Sequence, residues 1–121
     1  MKHNFRNLLI WKRSIEFVPQ IYLLTSKFPD NEKFGLSSQL NRASISIPSN
    51  IAEGMSRTSN KELIRFIDIS LGSSYEIETQ LIITEKIYPN LKCECEVLSC
   101  EMREIQKMIG AFKAKIKDKM I

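Results

Sequence analysis

Residues 59–87 read SNKELIRFIDISLGSSYEIETQLIITEKI, and this stretch decides the fold class. Ser59 precedes Glu62 by three residues, which is the capping-box spacing found where helices begin. Apolar residues then recur at steps of three and four with no proline among them. The pattern predicts one long helix over residues 60–87.

The apolar positions of this helix cover close to half of its circumference, which is wider than the stripe of about 100° that one core needs. They are Leu63, Ile64, Phe66, Ile67, Leu71, Tyr75, Ile77, Leu81 and Ile82. Small residues, namely Ser70, Gly72, Ser73 and Ser74, would let another helix approach closely. We therefore expect something beyond the bundle to cover the surplus apolar surface.

Three further segments have helical periodicity, so we predict helices over about 8–27, 32–55, 60–87 and 92–117. The seam of the first is Leu8, Trp11, Ile15, Val18, Tyr22 and Thr25. The seam of the second is Leu36, Leu40, Ala43, Ile47 and Ile51. The seam of the fourth is Leu98, Met102, Ile105, Ile109, Phe112 and Ile116. Short polar connections between such segments predict an all-α, antiparallel up-down-up-down four-helix bundle.

Two prolines interrupt these patterns. Pro19 and Pro48 each lack the amide that an inner helical turn needs, so each predicts either a bend or a meeting of two helical pieces. Asn50 follows Pro48 closely, and we expect its side chain to bond backbone groups at that turn.

Length and composition are those of one globular domain spanning residues 1–121. The first residues lack the apolar core of a signal peptide, and no stretch has the roughly 18 apolar residues of a membrane span. Three cysteines, Cys93, Cys95 and Cys100, crowd one predicted helix in a spacing that suits reduced thiols. We expect a cytoplasmic protein with no membrane contact.

Groups suited to catalysis are scarce. The single histidine, His3, lies near the terminus, and the cysteines lack both the number and the CxxC pair of a zinc site. Glu53 and Glu62 could form a carboxylate pair, but each has a structural role available near a helix end. We therefore predict no enzyme activity, no cofactor and no metal.

Several pieces between Phe5 and Leu81 resemble one bacterial family, the four-helix bundle proteins known as 23S rRNA intervening sequence proteins or S23 ribosomal proteins. The pieces are FRNLLIWKRS (5–14), LSSQLNRA (36–43), SIPSNIAEG (46–54), NKELIRF (60–66) and LGSSYEIETQL (71–81). SIPSNIAEG is the most specific of them. The fourth helix matches in pattern alone, and the resemblance does not lead us to expect its cysteines.

The resemblance implies a homopentameric ring around a central channel, which would cover the surplus apolar face. We assign Ile64, Leu71, Tyr75 and Ile82 to the subunit interface. It also implies a link to nucleic acid, because family members are encoded within inserted segments of ribosomal RNA genes. A similar bundle is the accessory protein of diversity-generating retroelements, where it binds nucleic acid and a reverse transcriptase. The resemblance does not imply a constituent of the ribosome.

The net charge of +4 is unevenly distributed. Residues 1–65 hold ten Lys or Arg against five acids, residues 66–111 hold four against eight, and residues 112–121 hold four against one. This pattern favours a basic surface built by the first half and the tail, which suits RNA or DNA. Ordinary solvated surface charge is the alternative.

The basic residues in or beside the matching pieces are the candidate nucleic-acid contacts. They are Lys12, Arg13, Arg42, Arg57, Lys61 and Arg65. The last three recur at i, i+4 and i+8, so they would form one stripe if Arg57 is helical. We expect a non-catalytic adaptor that binds phosphates along it. The alternative is a protein-interaction scaffold, for example for a reverse transcriptase, without nucleic-acid contact. A small-ligand carrier or enzyme using the ring channel is a third option.

Overall fold

The structure, a computed structural model, describes residues 4–33 and 35–120. Within these residues all regular secondary structure is helical, which confirms the all-α class. Short 3₁₀ turns lie at Phe5–Asn7, Asp30–Glu32 and Pro89–Leu91. The long helices are α1 (Leu9–Thr25), α2 (Leu36–Met55), α3 (Asn60–Ile87) and α4 (Lys92–Asp118). The second helix begins later than predicted because residues 30–32 form a 3₁₀ turn before it.

The start of α3 follows from its cap. The Ser59 hydroxyl oxygen accepts a hydrogen bond of 3.1 Å from the Glu62 amide, as the sequence predicts. The Glu62 carboxylate lies 3.5 Å from the Arg65 guanidinium, one turn further along the helix. The cap therefore fixes where the first turn of α3 begins, and with it the position of Lys61 and Arg65.

The core is built from one stripe on each long helix. On α2 and α4 the predicted seams are confirmed, since every member is buried except Leu36 and Phe112, which pack against the core while partly exposed. Among the most buried side chains are Leu40, Ile47, Ile51, Met102, Ile105 and Ile109. These helices enclose the apolar interior with Ile67, Ile77 and Leu81 of α3.

The predicted seam of α1 is wrong. The residues that α1 buries are Ile10, Ser14, Phe17, Ile21, Leu24 and Thr25, and the predicted seam shares Thr25 alone with this set. Ile15 is 41% exposed and Tyr22 is 43% exposed. The helix carries two apolar stripes roughly a quarter turn apart. Leu8 and Trp11 of the second stripe pack against the edge of the core, and Ile15 and Tyr22 further along it are exposed.

The small residues of α3 do let another helix approach closely, and that helix is α2 of the same chain. Ser70 and Ser74 are buried, and the Ser70 hydroxyl donates to the Ile47 carbonyl across the α2–α3 contact at 2.9 Å. The hydroxyls of Ser73 and Ser46 lie 2.9 Å apart at the same contact. These serines therefore let α2 approach α3 within one chain, and Gly72 is the exposed member of the set.

Ion pairs join α3 to α4 in a regular order. Lys113 lies 2.7 Å from Asp68, and Arg103 lies 3.4 Å from Glu78. Residues further along α3 thus contact residues nearer the start of α4.

Neither proline breaks its helix. Both α1 and α2 are continuous through Pro19 and Pro48. Asn50 does bond the backbone at this turn, because its side-chain amide donates to the Ser46 carbonyl at 2.8 Å and to the Ser46 hydroxyl at 3.0 Å. The bond ties the polar edge of α2 together beside Pro48.

The connections at the far end from the Ser59 cap are held to each other. The Tyr88 hydroxyl donates to the Glu32 carboxylate, and its ring stacks on Phe28 with centroids 5.7 Å apart. The bond to Glu32 raises the pKa of Tyr88. The α1–α2 connection is thereby fastened to the end of α3.

The joint between α2 and α3 depends on Gly54. A Cβ at this position would lie 2.9 Å from the Phe66 Cβ and 3.3 Å from the Leu63 carbonyl oxygen. The Phe66 Cβ and the Leu63 carbonyl oxygen are fixed by the backbone, so they cannot swing away as the end of a flexible side chain can. The absence of a side chain therefore lets the last turn of α2 rest directly on the first turns of α3.

We expect Gly54→Ala to lower the free energy of unfolding by about 1–3 kcal/mol through overpacking at this joint. Gly110→Ala is the matched control, because its added Cβ meets nothing within 4 Å among the described residues and improves helix propensity. Urea unfolding at equal protein concentration measures both. Equal or greater stability of the Gly54 variant would contradict the close contact.

Candidate nucleic-acid interface

The six predicted basic residues do not form one surface. Lys12 lies exposed on α1, and Arg42 lies exposed on α2 in the wall of an open cavity of about 740 Å³ beside the α1–α2 connection. Arg57, Lys61 and Arg65 lie together where α3 begins. The structure thus brings together three of the six.

Arg13 has a structural partner. Its guanidinium bonds the Glu101 carboxylate with an Nε to Oε1 distance of 3.0 Å, and its Nη1 lies 3.7 Å from the Met108 sulfur. Both side chains of this ion pair are about one-third exposed. Arg13 therefore joins α1 to α4. Its charge is neutralised by Glu101, which makes it a poor contact for a phosphate.

Arg57 is not helical, so the predicted stripe at i, i+4 and i+8 is wrong. The α2 helix ends at Met55, and Arg57 lies in the connection before the Ser59 cap. Its guanidinium carbon nevertheless sits 4.8 Å from the centre of the Phe66 ring, and that of Arg65 sits 5.4 Å from the same ring. Two cations therefore converge on one aromatic side chain.

The position of Phe66 results from packing that the sequence pattern does not reveal. Phe66 is buried, and the close approach of Gly54 places the Arg57 connection over its ring. The Arg57 guanidinium is also 3.9 Å from Glu53, and both side chains of that pair are largely exposed. Exposed pairs at this distance contribute little energy, so phosphate can compete for the guanidinium.

The lysines of the α4 tail are not among the predicted contacts, although the charge pattern of the sequence indicates them. The ion pair of Lys113 with Asp68 places the last turns of α4 beside the first turns of α3. Lys115, Lys117 and Lys119 follow and are exposed. We call the joint surface of Arg57, Lys61, Arg65 and residues 113–119 the basic end.

Two apolar surfaces lie outside the core. The first, called the ridge, consists of Ile64, Leu71, Tyr75 and Ile82, which steps of seven, four and seven residues place on one face of α3. Tyr75 is 53% exposed and Ile82 is 43% exposed, whereas Ile64 and Leu71 are half-buried. Two of the four predicted interface residues are thus exposed within one chain, and Leu71 also packs against the core.

The second surface, called the groove, runs between α1 and α2. It holds an open cavity of about 420 Å³ lined mainly by Trp11, Ile15, Val18, Ile45, Pro48 and Ala52. The misassigned apolar stripe of α1 forms one wall of this groove. Ridge and groove lie on different sides of the bundle, because one is the outer face of α3 and the other joins α1 to α2.

The thiols differ in reactivity. Cys93 and Cys100 are exposed, and Cys95 is buried. Burial, with help from Glu85 and Glu94, raises the pKa of the Cys95 thiol to about 11. Among the described residues no three His, Cys, Asp or Glu side chains are grouped as metal ligands, and His3 lies outside those residues. Within the same residues, the helices are too short or too polar to cross a membrane.

Comparison with known proteins gives one consistent result. The model of the family described as 23S rRNA-intervening sequence protein matches residues 6–111. A crystal structure of a protein of unknown function from the S23 ribosomal protein family of Bacteroides thetaiotaomicron is similar, with a TM-score of 0.80 and 24% identity. The match covers 88% of this chain and 96% of that one. No curated protein matches the sequence.

Brief alkylation of the native protein with iodoacetamide at neutral pH should modify Cys93 and Cys100 well before Cys95. The Cys95 thiol is buried and stays protonated far below its raised pKa, and the thiolate is the reactive form. Peptide mass spectrometry after a time course measures each site. Unfolding in urea should make all three react alike, and equal native rates would contradict the burial.

Proposed function

Because the chain belongs to the family of 23S rRNA-intervening sequence proteins, with residues 6–111 matching its model, we propose that it is a non-catalytic, nucleic-acid-binding adaptor. It works in the bacterial cytoplasm as a homopentameric ring of up-down-up-down bundles. The observation that carries the proposal is the basic end, where the cationic first half of the sequence and its cationic tail come together.

Support for the up-down-up-down order comes from the ion pairs. Arg13 of α1 meets Glu101 of α4, and Lys27, just past the end of α1, meets Glu94, so residue numbers rise on the first side and fall on the second. The pairs between α3 and α4 follow the same order. Neighbouring helices of an antiparallel bundle are expected to pair in this way.

Binding through phosphates fits the side chains of the basic end. Guanidinium and ammonium groups neutralise phosphates without reading bases, and each contact adds affinity that salt weakens. The Phe66 ring is buried beneath Arg57 and Arg65, so it is not free to stack on a base. The proposed ligand is therefore structured RNA or DNA, bound by backbone charge and shape.

A ring would strengthen the binding of nucleic acid by presenting the basic end several times on one particle. One basic end offers few phosphate contacts, whereas five on one particle can engage one strand together. Linked sites raise the overall affinity through effective concentration, with no change in any single contact.

A non-catalytic role is supported by the two carboxylates considered above. Glu53 is paired with Arg57, and Glu62 is paired with Arg65 while its amide is capped. Both carboxylates thus have structural partners, as expected of residues near helix ends.

A protein-interaction scaffold is the second candidate, and one cavity favours it. Between α1 and α4 lies an apolar cavity of about 320 Å³, with Leu23 and Val97 on its walls. Leu23 is 65% exposed and Val97 is 61% exposed. A partner such as a reverse transcriptase could bind there with no nucleic acid involved.

The test is the double variant Arg57→Glu and Lys61→Glu. Fluorescence anisotropy with a structured RNA and a DNA duplex, between about 50 and 200 mM salt, gives the slope of log affinity against log salt. We expect weaker binding to both ligands and a slope reduced by about one per lost phosphate contact. Light scattering checks that assembly is unchanged.

The matched control reverses the same number of charges away from the basic end, at the exposed Lys92 and Lys107 of α4. It should bind nearly as the wild type does. An equal loss in the control would mean that net charge, not the basic end, drives binding. A wild-type protein that binds neither ligand at low salt would remove the nucleic-acid proposal and leave the scaffold.

A further inference from the structure

The ridge and the groove are two apolar surfaces of different shape on one chain. The ridge lies along α3, with Tyr75 and Ile82 exposed. The groove is concave, and its cavity lies between Ile15 of α1 and Ile45 of α2. One surface exposes apolar side chains, and the other offers an apolar cavity.

Gly72 leaves room for a helix to approach the exposed side of α3. Glycine weakens the interior of a helix relative to alanine, so its presence there is a cost. A Cβ on Gly72 would meet nothing within 4 Å among the described residues, so packing within the chain does not require glycine. The open space is therefore compatible with a close neighbour from outside the chain.

We propose that the ridge of one copy packs into the groove of the next copy, head to tail. The inference rests on the ring assembly proposed above and adds which two surfaces meet. An interface between two different surfaces can close into a ring, whereas a two-fold interface joins identical surfaces and stops at a dimer.

Charges beside the two surfaces have matching spacing. On α3, Arg65 precedes Glu76 by eleven residues, and on α2, Arg42 precedes Glu53 by eleven residues. Eleven residues make just over three complete turns, so each pair lies on one helix face about 16 Å apart. All four side chains are exposed.

The order of these charges selects the direction of packing. With bundles side by side and pointing the same way, α3 of one copy runs opposite to α2 of the next, as it does within one chain. Arg65 then faces Glu53 while Glu76 faces Arg42. Turning one copy over would instead place Arg65 beside Arg42 and Glu76 beside Glu53, which like-charge repulsion disfavours.

The existing partners of these charges do not prevent the exchange. Within the chain Arg65 is 3.5 Å from Glu62, and Glu53 is 3.9 Å from Arg57. Both are exposed pairs of the kind that contribute little. In the ring, Arg65 therefore leaves the basic end for the subunit contact, where Arg42 also lies, and Arg57, Lys61 and the α4 tail remain for nucleic acid.

The test uses one variant for each surface. Tyr75→Asp disables the ridge, and Ile45→Asp disables the groove; both side chains are exposed in the single chain, so each variant should fold. Circular dichroism confirms folding, and light scattering gives the mass. Each variant alone should have a mass near the 14.0 kDa of one chain.

A mixture of the two variants decides the matter. One intact ridge and one intact groove remain, so the mixture should stop at a heterodimer of twice the single-chain mass. The control mixes Tyr75→Asp with Ile82→Asp, two ridge variants, which should stay monomeric. If the ridge and groove variants remain monomeric when mixed, or still assemble like the wild type, the proposed contact is wrong.

A charge exchange gives a second measurement that does not depend on apolar surface. Arg65→Glu should weaken assembly at least tenfold in concentration, and adding Glu53→Arg to the same chain should restore it. No recovery in the double variant would overturn the proposed direction. A monomeric wild type at micromolar concentration would instead remove the ring itself, so the two failures are distinguishable.

Discussion

The contact of Gly54 with Phe66 and Leu63 governs the geometry of the α2–α3 corner. Because a Cβ would lie 2.9 Å from that of Phe66, the last turn of α2 can rest on α3 only with glycine at this position. The same contact directs the following connection across the Phe66 ring, which places Arg57 beside Arg65. Helix packing and the arrangement of the cations thus have one cause.

The periodicity of the sequence predicts the four helices and the core faces of α2 and α4, where one apolar stripe dominates. It fails on α1, because α1 has two such stripes and spacing alone cannot tell which one faces inward. Phe17 and Ile21 are buried, while Ile15 and Tyr22 are not. The decision belongs to the packing of α1 against its neighbours, and a local pattern holds no information about it.

The cations show the same limit. Sequence reasoning selected Arg13, but its partner Glu101 lies 88 positions away, and a contact of that kind depends on the tertiary fold. It passed over Lys113, which the Asp68 pair brings beside α3. What could be read from the sequence was the uneven distribution of charge, since a basic beginning and a basic tail needed only the fold to join them.

The ion pair of Lys113 with Asp68 has a consequence for any assembly of this chain. It fixes the cationic tail at the same pole of the bundle as the start of α3, so the cations of both segments gather at that pole. Copies that all point the same way would give a particle with one cationic rim and one that is closer to neutral. Such a particle can lie on a polyanion through one side while its opposite side stays free.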